Sequence, residues 1–124
     1  MKIALATFEY PPFVEGGAGL YAFSLTKNLV KLGHEVHVIA PLANGGKAHE
    51  IKDGVFIHRI AFVNRKYLSE VSFWISLRNS LKMIKKQVGD FDIFNGDQYS
   101  DFLLKGIECH VLTLHSLIST NVEV

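Results

Sequence analysis

The sequence predicts an α/β protein built on an open parallel sheet with helices on both faces. Two observations predict it. Short apolar segments alternate with segments of helical periodicity along the whole chain. Several of the short segments are also nearly continuous apolar runs, as expected of strands covered on both sides. With 124 residues, 48% hydrophobic and 20% charged, the chain has the size and composition of one globular domain.

The elements follow in order. "KIALATF" (2–8) is a short apolar strand bounded by Pro11-Pro12. Residues 18–32 place Leu20, Phe23, Val30 and Ala22, Leu25, Leu29 at helical spacing, and Gly33 stands where a helix stops. "EVHVIAP" (35–41) is the second strand, "ANGGK" (43–47) a turn, and "VFIHRI" (55–60) the third strand. Residues 69–88 form a helix with Trp74, Leu77, Leu81, Ile84 and Val88 in one stripe and Ser69 placed to cap it. "FDIFN" (91–95) is the fourth strand, 99–106 a short helix ending at Gly106, and "HVLTLH" (110–115) the fifth strand. A doubly wound sheet ordinarily continues past such a strand, so "HSLISTNVEV" reads as the end of a fragment or of a half-domain.

Charge and cysteine content narrow the function. A net charge of +1 and a pI near 7.9 do not point to nucleic acid or an anionic membrane as the main partner. No apolar run approaches the roughly 20 residues of a membrane helix, and no signal peptide is read. Cys109 is the one cysteine, which favours a reducing, cytoplasmic setting. Histidines 34, 37, 49, 58, 110 and 115 make no convincing ligand cluster with it, so no metal is expected.

Gly17-x-Gly19-x-x-Ala22 fits the written form of the dinucleotide fingerprint. The NAD reading fails on two counts. Residues 9–16, including two prolines, separate the strand from Gly17, whereas the fingerprint needs a tight turn at the strand end. The second strand also ends in His37-Val38-Ile39-Ala40-Pro41, without the acid that would hold a ribose. A ligand edge is still expected. With strand order 3-2-1-4-5, the topological switch lies between the first and fourth strands. Glu15–Gly19, Asn95–Gln98 and His115-Ser116 then gather there, and the start of helix 18–32 offers free N–H groups to an anion.

"YPPFVEGGAGLYAFSLTKNLVKLGHEVHVIAP" resembles the opening of family 4 glycosyltransferases, retaining enzymes of GT-B fold that include glycogen synthase relatives. "GDFDIFNGDQYSDFL" and "HVLTLHSL" resemble two further motifs of that family, in order, so the resemblance spans nearly the whole chain. It implies a Rossmann-like N-terminal, acceptor-side domain over 1–124. It also implies a C-terminal nucleotide-sugar domain that this sequence does not contain, without which the chain should not turn over. By position, Gly16 and Gly17 would lie against the acceptor or the donor phosphates. His115 would orient the transferred sugar as the catalytic residue, and Asp97 would contact the acceptor, although "NGDQ" is not the family's commonest form there. No cofactor is implied; the donor is a nucleotide-diphosphate sugar and the acceptor a carbohydrate, lipid or other group.

The residue types suit that chemistry. Helix N–H groups can stabilise a departing phosphate, and a histidine can bond a sugar hydroxyl. No carboxylate pair suggests hydrolysis. His34 reads as structural, His37 and His58 as satisfied near the sheet edge or surface, and His110 as a strand start. Cys109, Phe73 and Trp74 read as packing residues. Lys82, Lys85 and Lys86 form a basic face, ordinarily solvated, with weak peripheral membrane contact as the alternative. Two other functions stay open: a non-catalytic sugar- or nucleotide-binding module, and a GT-B nucleotide-sugar epimerase, which the Gly-Gly loop and "LTLHS" fit less well.

Overall fold

The computed structural model describes residues 1–8, 10, 11, 17–42, 47–63, 65, 68–96 and 110–112. The elements run β1 (Lys2–Ala6), α1 (Gly17–Lys31), β2 (Glu35–Pro41), β3 (His49–Lys52), β4 (Val55–Ile60), α2 (Ser69–Val88), β5 (Ile93–Gly96) and β6 (His110–Leu112). They form one six-stranded sheet in the order β3-β4-β2-β1-β5-β6. The five expected strands take the expected 3-2-1-4-5 order and are parallel. The sheet is nevertheless mixed, because β3 adds an antiparallel edge against β4. Asp53 (φ 52°) and Gly54 (φ 80°) make the tight turn between them, the Asp-Gly pairing that a two-residue hairpin favours. The predicted helix 99–106 lies outside the described residues.

Right-handed crossovers place the helices on opposite faces. The chain moves outward from β1 to β2 and on to β4, then crosses back to β5. Strand alternation gives each helix its own core. Toward α1, Leu5, Val36, Val38, Ala40, Val55 and Ile57 pack with Ala22, Phe23, Leu25, Leu29 and Val30. Toward α2, Ala4, Ala6, Ile39 and Phe94 pack with Phe73, Trp74, Leu77, Leu81 and Ile84. The small side chains of β1 on that face leave room for Phe73 and Trp74, which are both buried. Among the described residues, Trp74 Nε1 finds no hydrogen-bond partner.

Two local expectations change. Leu20 belongs to the helical pattern but is exposed, off the buried face. Ser69 is the first residue of α2 and makes no cap; the capping position is Leu68, without a side-chain bond. Ser72 works there instead: its Oγ accepts from the Val63 N–H at 2.8 Å and donates to the Ser69 carbonyl at 2.9 Å. Gly33 ends α1 as expected. Its φ is +91°, and the bonds from Gly33 N to Val30 O (3.0 Å) and His34 N to Leu29 O (3.2 Å) form a Schellman motif. His34 therefore has a structural place, with its ring 3.3 Å from the N-terminal amine.

Candidate functional site at the carboxyl edge of the sheet

The parallel strands end together at one edge, and β1 and β5 part the chain's two directions of winding there. Ala6, Gly96 and Leu112 stand side by side in the registers of β1, β5 and β6. Helix α1 begins beyond the end of β1 with Gly17, and Gly19 in its first turn is buried. That first turn carries no acidic side chain, so nothing in it offsets the positive end of the helix dipole. This edge is where open α/β sheets bind ligands.

Of the sequence-predicted site residues, Gly17 is described, as the first residue of α1. Gly16, Asp97 and His115 lie outside the described residues. Asp97 follows Gly96 directly in the chain, and His115 follows the last described residue of β6, Leu112, by three positions. The structure therefore brings the ends of β1, β5 and β6 together at one edge.

Sequence reasoning missed a buried clamp at this edge. Arg59, 6% exposed on β4, donates from Nη1 to the Pro41 carbonyl at the end of β2 (3.2 Å) and from Nη2 to the Pro11 carbonyl (2.6 Å). Its Nε lies 4.0 Å from Glu50 Oε1 on β3. Burial pushes the guanidinium pKa down, while Glu50 and Tyr10 act in the opposite sense. One planar fork thus ties the chain leaving β1 to the ends of β2 and β4. Tyr10 adds a second tie. Thr26 Oγ1 donates to the Phe23 carbonyl (2.9 Å), so the Tyr10 hydroxyl donates to Thr26 Oγ1 (2.9 Å). Burial holds the Tyr10 phenol above its usual pKa, which keeps the donor protonated. The signal for the clamp was an arginine inside the apolar run "VFIHRI", because an arginine there must find acceptors.

The opposite face of the edge is aromatic. Phe8 meets Phe62 edge-on at 5.8 Å and Phe73 at 5.6 Å, and Phe73 meets Trp74 at 5.0 Å. Phe73 and Trp74 are packing residues, as expected. His37 and His58 are satisfied, as expected, but by burial beneath the surface and a bond to each other. Among the described residues, no group of His, Cys, Asp and Glu side chains could hold a metal ion. No helix among them is long and apolar enough to cross a membrane.

Comparison with known proteins agrees with this fold. The family model for Glycosyltransferase Family 4 matches residues 15–122. An uncharacterised glycosyltransferase of Methanocaldococcus jannaschii is 29% identical over 98% of this chain and 32% of its own length. A glycogen synthase of Streptococcus sanguinis is 33% identical over 87% of this chain and 25% of its own length. Sucrose-phosphate synthase from Thermosynechococcus elongatus superimposes with a TM-score of 0.72 at 16% identity, over 94% of this chain and 33% of that one; the likeness is one of fold. The chain spans a quarter to a third of the length of these relatives. Its ordered motifs, its strand order and the match over 15–122 converge on one assignment: the chain belongs to glycosyltransferase family 4.

Proposed function

We propose that this chain forms the acceptor-side wall of a retaining glycosyltransferase, which moves a hexose from a nucleotide-diphosphate sugar to an acceptor. The observation that carries the reading is the family match over 15–122, which includes Gly16, Gly17, Asp97 and His115. It is supported by a sheet edge where the ends of β1, β5 and β6 stand side by side. The complete site needs a second domain that supplies most of the donor contacts.

In this reading Gly16 and Gly17 let substrate approach the backbone closely, and the N-terminus of α1 favours the phosphate charge that grows as the nucleotide leaves. His115 hydrogen-bonds the transferred sugar, and Asp97 contacts the acceptor. Arg59 and Tyr10 hold the chain leaving β1. No cofactor enters the reaction, and the reducing cytoplasm is its setting. His115→Ala in a full-length protein carrying this chain should cut kcat sharply; wild-type turnover would remove His115 from the site.

A peripheral membrane contact has its own support. Leu68, Val71 and Ile75 are exposed on one side of α2, and helical spacing continues that side through Lys82 and Lys86. This apolar-then-basic face suits weak contact with anionic lipid. Co-sedimentation with anionic vesicles, lost in Lys82→Glu/Lys86→Glu, would support it; equal recovery with neutral vesicles would refute it.

A further inference from the structure

Four titratable side chains that the site does not use form one line across the α2 face of the sheet. Glu35 and His37 stand on β2, His58 on β4, and His49 opposite His58 on β3. Glu35 Oε2 is 2.7 Å from His37 Nε2, His37 Nδ1 is 2.9 Å from His58 Nε2, and His58 Nδ1 is 3.2 Å from His49 Nδ1. The His37 and His58 rings are within 10° of parallel with centroids 5.2 Å apart. That separation is the N···N distance plus the two ring radii, so the bond runs along both ring planes. Among the described residues, His49 Nε2 alone of the six ring nitrogens has no partner, and His49 is exposed.

Imidazole chemistry orders the protons in this line. A neutral ring has one N–H donor and one acceptor nitrogen. The hydrogen bond from His37 holds the Glu35 carboxyl below its usual pKa, so Glu35 is an ionised acceptor and His37 carries its proton on Nε2. His37 Nδ1 then accepts from His58 Nε2–H, and His58 Nδ1 accepts from His49 Nδ1–H. Each contact holds one proton. One more can enter at His49 Nε2 without placing two N–H groups face to face. From there the shared protons can each hop inward, each hop breaking one N–H bond and making another, until the charge rests on His37 beside Glu35. A second added proton has no such place and sets two donors against each other.

We propose that Glu35, His37, His58 and His49 form a proton-ordered chain that takes up one proton with its bonds intact, and that a second proton parts the chain and releases the edge strand β3 from β4. The surroundings favour this. Lys2 of β1 lies 3.7 Å from Glu35 and also donates to the Val88 carbonyl. Asp92 is occupied by the Lys2 backbone N–H at 2.7 Å. The Phe56 ring stacks on His37 at 4.8 Å and Phe91 meets it edge-on at 5.4 Å. The residues α2 turns to the sheet are apolar, among them Phe73, Leu77, Leu81 and Ile84. Among the described residues, no further charge therefore faces the two buried rings. Burial, with His37 and His49 adjacent, pushes the His58 pKa down to about 4.

The strand so held is short. β3 has four residues, paired to β4 and flanked by the bond from Arg59 N to Ala48 O at 2.8 Å. Its second residue is Glu50, the carboxylate partner of Arg59. Release of β3 therefore withdraws a partner from the clamp on Pro11 and Pro41, which links the proton chain to the carboxyl edge of the sheet.

Imidazole ¹⁵N NMR between about pH 8 and about pH 4, with amide exchange at Arg59, tests this. At neutral pH the expected tautomers are Nε2–H for His37 and His58 and Nδ1–H for His49. The three rings should together take up one proton while the Arg59 amide stays protected, and the second proton should coincide with loss of that protection. His58→Phe cuts the chain but keeps an aromatic ring; release of β3 should then need roughly tenfold more acid. The wild-type tautomers and proton count decide the matter even if that variant does not fold. An Nε2–H tautomer at His49, a second proton taken up with β3 still held, or release of β3 at unchanged pH in His58→Phe would overturn the proposal.

Discussion

Replacing Arg59 with methionine removes the clamp while keeping most of its apolar length. Two charge-assisted hydrogen bonds are lost, to Pro41 O and Pro11 O, each contributing about 1.5–3 kcal/mol. Part of this is offset, because burial already disfavours the charged guanidinium. The Glu50 contact, at 4.0 Å with a carboxylate 35% exposed, adds less than about 1 kcal/mol. The net loss is about 2–3 kcal/mol. In urea this appears as a lower midpoint at unchanged slope, a fall of about 1–2 M for a small domain. Arg59→Lys keeps the charge but has one compact head in place of a planar fork, so it should recover about half of the loss. A methionine variant within about 0.5 kcal/mol of wild type would refute the clamp. A lysine variant equal to wild type would show that charge, not the fork, is what matters.

Other consequences are as direct. Stability should fall by about 3 kcal/mol as pH drops from 6.5 toward about 4, since the unfolded state binds the His58 proton in that window and the folded state does not; His58→Phe should flatten this part of the urea-midpoint profile. Gly54→Ala should cost about 1–3 kcal/mol in the same assay, because φ is +80° and a Cβ would stand 3.0 Å from Val30 Cγ1. Gly33→Ala, with a φ of +91° but open space around the added atom, should cost less, about 1 kcal/mol.

Much of the fold was legible because each element carried its own signal. β2, β4 and α2 have the bounds that apolar runs and a 3.6-residue stripe predict. Gly33 closes α1 because a helix ending this way needs a positive φ. β3 was missed because "HEIK" has one apolar residue, Ile51, and that residue is 68% exposed. Its strand state comes from pairing with β4, and its one local mark was Asp53-Gly54. The burial of His37 and His58 was illegible for a similar reason. Each satisfies the other across 21 residues of sequence, and no periodicity encodes a cross-strand bond. Arg59 finds its acceptors 18 and 48 residues away. In the site, the structure places Gly17 at the head of α1, while Gly16, Asp97 and His115 stand on the motifs that carry the family resemblance.

The most direct measurement is the anomeric configuration of the product, followed by proton NMR while a full-length protein carrying this chain is incubated with nucleotide-diphosphate hexoses and sugar acceptors. Transfer should proceed with the donor's configuration retained, and kcat should be sharply lower in His115→Ala. A product of inverted configuration, or epimerised nucleotide sugar with no transfer, would contradict the proposed reaction.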